Sequence, residues 1–214
     1  GDDERTAGIS VAVQRMTAGA GALAGWNAGQ IYNCAASGYR LDGDAYSGST
    51  YYLGGLVGYI GSNSVESCYA HGSIKTSGSY VGGINGTVTT GDSSFVRKCW
   101  SYVDILQTGG DYAGGISGRG YSIISSLAMG NVAGAGANTD RVEAIRQYVA
   151  PGPGVYAYKG QIAGQLTEDE KGPNANGLLT GEELGSPATW QDKIRLGSEW
   201  DYSPIGRGCA PKVR

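Results

Sequence analysis

Histidine and phenylalanine each occur once in these 214 residues, cysteine four times and methionine twice. Each scarcity excludes something. A Ser-His-Asp or Cys-His catalytic arrangement would have to run through His71 alone, and no Gly-x-Ser-x-Gly elbow or HExxH pattern accompanies it. No CxxC or CxxxC spacing joins the cysteines, which argues against a zinc site. Charged residues make up only 16%, the net charge is −3, and no more than two Lys or Arg stand side by side. The basic stripe that holds nucleic acid is therefore missing. Apolar runs fall far short of the about 20 residues a membrane span needs. No charged leader, apolar stretch and cleavage site open the chain either. Gly1-Asp2-Asp3-Glu4 reads as a trimmed mature start or a tag scar, which leaves a removed signal peptide open.

What is abundant is glycine, with 39 residues, and tyrosine, with 15. The glycines have no three-residue period, which excludes collagen. β-Branched and aromatic residues interleave with them, a pattern of short strands between tight turns. Self-similarity organises the rest. Gly21-Ala22-Leu23-Ala24-Gly25, Gly54-Gly55-Leu56-Val57-Gly58, Gly82-Gly83-Ile84-Asn85-Gly86 and Gly114-Gly115-Ile116-Ser117-Gly118 are copies of one pattern, with a weaker fifth at Gly160-Gln161-Ile162-Ala163-Gly164. Their central aliphatic residues lie 33, 28, 32 and 46 residues apart. That spacing suits one coil of a solenoid per copy, with an insertion before the last.

A second strand follows each of the first four copies, and its columns also align. Ile31, Val65, Val96 and Ile123 form one; Cys34, Cys68, Cys99 and Ser126 the next; Ala36, Ala70, Ser101 and Ala128 a third. Gly38, Gly72, Val103 and Gly130 follow, then Ile74, Ile105 and Val132. One coil cannot bury its apolar face alone. Stacked coils share a core and set like residue above like residue at the ~4.8 Å strand spacing. Glycines are expected at the corners, where φ is positive or a neighbouring coil comes close.

The predicted fold is all-β: a parallel β-helix of about 4–5 degenerate repeats over residues 1–166, with residues 167–214 as a C-terminal loop and capping segment. Over 139–149 the spacing of Val142, Ile145 and Val149 behind Asp140 predicts one short helix in the insertion, ended by Pro151-Gly152-Pro153-Gly154. A further helical turn is expected from Thr180, with Glu182 and Glu183 early in it.

Gly54 to Ile74, with its Gly-Gly-Leu-Val-Gly core and its downstream Cys68-Tyr69-Ala70 strand, resembles the GLUG-motif repeat family. Four copies fall within residues 21–132, and the closing stretch through Trp190, Trp200 and Ala210-Pro211 is similar to the tail of such arrays. The resemblance implies β-solenoid segments of bacterial surface proteins, adhesin-like proteins and the non-catalytic regions of immunoglobulin A metallopeptidases among them.

Candidate site residues are few. Tyr52, Tyr80, Tyr112 and Tyr158 each stand four residues before a repeat aliphatic and are expected to form a column. Facing outward, that column is a ligand-contact ladder for a glycan or for a host or matrix protein. Packed coil on coil, it is architecture. The three repeat cysteines share a column with Ser126, so they are expected inward and unbridged, as small hydrophobes, while Cys209 has no repeat partner. Asp42 with Asp44, and the loop 168–176 with Glu168, Asp169 and Glu170, could offer oxygen ligands to calcium, but neither matches an EF-hand loop, and solvated turns explain them equally. Glu66 and Asp104 fall in different columns, a weak basis for an acid/base pair. No catalytic, cofactor or metal residue is assigned. The reading is a non-catalytic, adhesin-like module, extracellular or at the cell surface; the alternative is a lyase or glycosidase on a β-helix, which would need these carboxylates to converge.

Overall fold

The computed structural model describes residues 10–12, 19–43, 52–88, 94–110, 112–119, 122–134, 152–158 and 177–214. Short parallel strands wind into a β-solenoid with four faces. The first face holds Gly19–Gly21, Tyr52–Gly54, Tyr80–Gly82 and Tyr112–Gly114; the second holds Ala24–Asn27, Val57–Ile60, Asn85–Val88 and Ser117–Arg119. The third holds Ile31–Tyr32, Ser64–Glu66, Phe95–Arg97 and Ile123–Ile124. The fourth, with the longest strands, stacks Ser10–Ala12, Ala35–Asp42, Tyr69–Thr76, Trp100–Gln107, Leu127–Ala128 with Val132–Gly134, Tyr156–Tyr158 and Leu178–Leu179. The path from Gly19 through Tyr52 and Tyr80 to Tyr112 makes three complete turns and four tiers.

Like stacks on like, as the columns require. Val65 pairs with Ile31 and Val96, and Val96 with Ile123. Ala70 pairs with Ala36 and Ser101; Ile74 pairs with Leu41 and Ile105. Leu53, Leu56, Val65, Val81, Ile84, Ile116 and Ile123 are buried in one continuous core. Leu23, in the same column as Leu56, stays 44% exposed because its tier lies at the end of the first three faces.

Two expectations about glycine change. The repeat glycines of the Gly-Gly-aliphatic pattern do not have positive φ; the left-handed corners are Asn33, Ser67, Lys98 and Ser125, with φ of 51°, 52°, 53° and 50°. What demands glycine is close approach: a Cβ on Gly54 would lie 2.6 Å from the Cα of Asn85 in the next tier and also strike the Val57 carbonyl. The first and second faces meet there backbone to backbone. Gly38 does not join the Gly72 column either. It is an extra residue at φ 70°, the strand shifts register between Ser37 and Tyr39, and Tyr39 takes the column position. Gly72 then leaves room for the Tyr39 ring, which a Cβ there would approach to 2.9 Å.

The left-handed corners recur with one bonding scheme. Asn33, Ser67 and Lys98 each donate their N–H to the next tier's carbonyl, at Glu66, Arg97 and Ile124, and Ser125 does so to Pro153. The last bond changes the reading of Pro151 to Gly154. Gly154 (φ 77°) is the corner of a fifth tier, Val155 follows it, and Tyr156–Tyr158 pairs with Leu127–Ala128. The segment 152–158 is therefore a further coil, with its strand on the fourth face. The helix expected over 139–149, the copy at 160–164 and the loop at 168–176 lie outside the described residues.

The C-terminal segment extends the stack and then folds along its side. Leu178–Leu179 pairs with Tyr156–Tyr158. Thr180 caps a single α-helical turn, Gly181–Leu184, in a capping box with Glu183, as the acidic residues there suggested. A π-helical turn, Thr189–Ile194, follows, and Trp200–Asp201 pairs antiparallel with Lys212–Val213. Trp190, Ile194, Leu196, Trp200 and Ile205 pack with Trp100, Leu127 and Met129 of the fourth face into a second core. The tail thus covers the flank of the solenoid. The Trp100 indole nitrogen donates to the Pro211 carbonyl at 3.0 Å and ties the two together.

Acid is expected to loosen this segment first. The Lys98 ammonium, 2.8 Å from Glu199, holds that carboxyl below its usual value; Lys193 does the same for Glu183, and Ser203 for Asp201. Carboxyls lowered by folding contribute stability that is present above their unfolded values and lost as pH falls through the lower folded ones. Melting followed by tryptophan fluorescence should therefore drop below about pH 4, the ordinary carboxyl range. Glu199→Gln should flatten that drop. An unchanged acid limb in the variant would remove Glu199 from the account.

Candidate functional site

The tyrosine column exists in three tiers. Tyr52 pairs with Tyr80 and Tyr80 with Tyr112, while Gly19 holds the equivalent place in the first tier. The residues that alternate with them, Leu53, Val81 and Ala113, enter the core, so the tyrosines lie on the other side of the strand, half-buried. Tyr158 does not belong to this column. It pairs with Leu179 on the fourth face, because its strand continues the cysteine-bearing coil and not the glycine-rich one.

The column is longer than the sequence suggested, because it turns a corner. Tyr80 and Tyr112 stack at 4.9 Å with 10° between planes; Tyr52 lies 5.2 Å from Tyr80 and 5.2 Å from Tyr59 of the second face. Tyr59 stacks on Trp26 at 4.2 Å, and Trp26 is 55% exposed. Trp26, Tyr59, Tyr52, Tyr80 and Tyr112 make one stripe of five rings across four tiers. The Arg119 guanidinium sits 5.9 Å from the Tyr80 ring centre. Offset rings at these separations stabilise one another by about 0.5–1.5 kcal/mol a pair and still present amphipathic edges. The ladder is architecture and surface at once.

The cysteine column is as expected. Cys34, Cys68 and Cys99 are unbridged. Each thiol points back to the carbonyl two residues earlier, at 3.3, 3.0 and 3.2 Å, and the Ser126 hydroxyl does the same at 2.8 Å. The Cys34 amide donates to the Cys68 sulfur and the Cys99 amide to the Ser126 hydroxyl, both at 3.3 Å, which links tier to tier. Cys209 is exposed in the tail.

The carboxylates are engaged separately. Glu66, on the third face, is buried and lies 2.6 Å from Arg97 and 3.8 Å from Lys98. Asp104, on the fourth face, accepts from the Asn131 amide at 3.0 Å. Asp42 lies 3.8 Å from Arg40 of the same strand, and Asp44 and the loop residues Glu168, Asp169 and Glu170 lie outside the described residues. Among the described residues no group of three or more His, Cys, Asp or Glu gathers as a metal would require. No helix among them is long and apolar enough to cross a membrane, which leaves strands unaddressed.

A cleft that the repeat columns did not reveal lies where the tail leaves the fourth face. It encloses about 510 Å³. Tyr69 and Trp100 form its floor, stacked at 4.4 Å with 8° between planes. His71 and Tyr102, next along the same strands and tilted 55° to each other at 5.2 Å, form a wall with Met129. Ser37 on one side and Cys209 and Lys212 on the other complete the rim. Ser37, His71 and Tyr102 are in register on three successive tiers. The partner of that column is a tail more than a hundred residues away, carried there by the Trp100–Pro211 bond. Nothing local in the sequence signals that contact.

Comparison with known proteins adds one positive finding: residues 49–75 match the family model described as the GLUG motif. No curated protein and no solved structure matches the chain. The matched stretch covers the second tier from the Tyr52 ladder strand to Ile74, and the tiers on either side repeat it in register. The chain is a β-solenoid that carries a GLUG motif in its second tier.

Proposed function

We propose that this solenoid is a non-catalytic, adhesin-like module, secreted or displayed at a bacterial surface, that contacts a glycan or a host or matrix protein through its aromatic stripe. The observation that carries the reading is the run of five rings, from Trp26 to Tyr112, continuous over four tiers and partly open to solvent. Aromatic side chains offer large, stiff contact area at small entropic cost, which suits a recognition surface. The carboxylate pairing described above supports the non-catalytic half. Glycoside hydrolysis in most families needs two carboxyl groups about 5–10 Å apart across a bond. Glu66 is instead neutralised by Arg97 beneath the surface of one face, and Asp104 holds a backbone amide on another.

A glycan and extracellular-matrix array probed with the protein and with Trp26→Ala/Tyr59→Ser tests this. Binding that falls at least tenfold in the double variant, with the fold intact by circular dichroism, is the expected result. No binding on any array would leave a spacer in place of an adhesin. Bond cleavage in any arrayed glycan would overturn the non-catalytic reading.

A further inference from the structure

We propose that the cleft between the fourth face and the C-terminal tail binds an acidic sugar, a pyranose ring carrying a carboxylate. It lies on a different face from the aromatic stripe and goes beyond the function proposed above. Its volume of about 510 Å³ falls within the roughly 300–1,000 Å³ that small-ligand sites occupy. The floor is rigid. Tyr69 and Trp100 stack, Trp200 packs 6.4 Å from Trp100, and the Trp100 indole is held by Pro211. A fixed aromatic platform favours a ligand with an apolar, C–H-bearing face.

Side chains with polar groups share the lining with these rings: Ser37, His71, Tyr102 and Lys212. A purely apolar ring would desolvate these groups without replacing their hydrogen bonds, which weakens its binding. A ring edged with hydroxyls pairs with them.

The charge decides between neutral and acidic sugars. Lys212 is the one charged side chain on the lining, and no carboxylate joins it there. Its cross-strand neighbour is Asp201, whose two oxygens accept from the Ser203 amide and hydroxyl, both at 3.0 Å. Among the ion pairs of the described residues none includes Lys212. Its ammonium adds to the field at Asp201 without forming an ion pair there, and it remains on the cleft lining to meet an incoming carboxylate.

Short oligomers of glucuronic acid and of glucose, titrated against the intact protein, test the proposal. Quenching of tryptophan fluorescence reports the floor, and protection of the Cys209 thiol from alkylation reports the rim. The uronate should bind at least tenfold more tightly than the neutral oligomer, and the difference should shrink with added salt. Lys212→Gln should abolish the preference while leaving the weaker neutral binding. Tyr102→Ala should weaken both at least tenfold, with circular dichroism and melting temperature checking its fold. Tyr80→Ala, on the stripe, should change neither, which separates this cleft from the stripe. Equal affinity for the two oligomers, loss of uronate binding in Tyr80→Ala, or protection of Cys209 only by a peptide would each overturn the proposal.

Discussion

Iodoacetamide added to the native protein near pH 8 should label Cys209 within minutes and leave Cys68 and Cys99 unmodified. Cys209 is exposed, whereas Cys68 and Cys99 have no accessible surface. Burial pushes the Cys99 thiol well above its ordinary value, so even a reagent that reached it would meet little thiolate. Cys34, half-buried in the first tier, is also raised by burial and should react at an intermediate rate. Labelling of the two inner thiols has to wait for the stack to open. With a domain stability of about 5–15 kcal/mol, that opening makes them at least 10³-fold slower than Cys209. In urea without reductant all four thiols should react, because none is bridged. Peptide mapping by mass spectrometry reads each site separately. Fewer than four reactive thiols in urea would mean a disulfide and would sink the stacked-thiol column. Rapid native labelling of Cys99 would mean that the tiers do not pack as described.

Gly83→Ala should cost about 3 kcal/mol or more, while Gly29→Ala should change stability by less than about 0.5 kcal/mol. Both are glycines in a glycine-rich chain, and neither has a positive φ. The difference is space. A Cβ on Gly83 would strike the Gly115 carbonyl and the Ser101 side chain, both held in place by neighbouring strands. At Gly29 the nearest atom is 3.8 Å away, an ordinary contact. Urea denaturation of the two variants beside the parent measures the pair. Equal effects would show that backbone entropy, and not close approach between tiers, is why the pattern keeps glycine. Gly54, whose Cβ would meet the Asn85 backbone, is bound by the same close approach, whereas Gly208 is required for its φ of 77°, and a Cβ there would find open space.

These two experiments probe what was legible in the chain itself. The Cys34, Cys68, Cys99 and Ser126 column is visible because a solenoid repeats its environment at each turn, so equivalent places select residues of equal size. The same logic exposes the small Ala36 to Ala128 column and the glycine pattern. It fails where one tier departs from the others. Gly38 looks like a member of the Gly72 column, yet it is a bulge residue, and Tyr39 fills the place instead. Tyr158 matches the spacing of the tyrosine ladder, yet its strand pairs on the fourth face. Spacing alone cannot distinguish two faces of a coil when the intervening loop changes length. The left-handed corners were also hidden. Asn33, Ser67, Lys98 and Ser125 do not share one residue type, and the recurring corner hydrogen bond is what marks them as equivalent.

The sequence by itself determined the repeat, the parallel stack and the identity of the core columns, because these follow from local periodicity and from the need of each coil for a neighbour. Tertiary structure alone decided the two surfaces proposed here for binding. The aromatic stripe exists because Tyr59 and Trp26 turn the corner from the second face to meet Tyr52 on the first. The cleft exists because a tail without any repeat character folds back along the fourth face to bring Lys212 and Cys209 beside His71 and Tyr102. Contacts between stacked tiers recur and leave a periodic trace in the sequence. Contacts across a corner, or between the repeat and its tail, occur once and leave none.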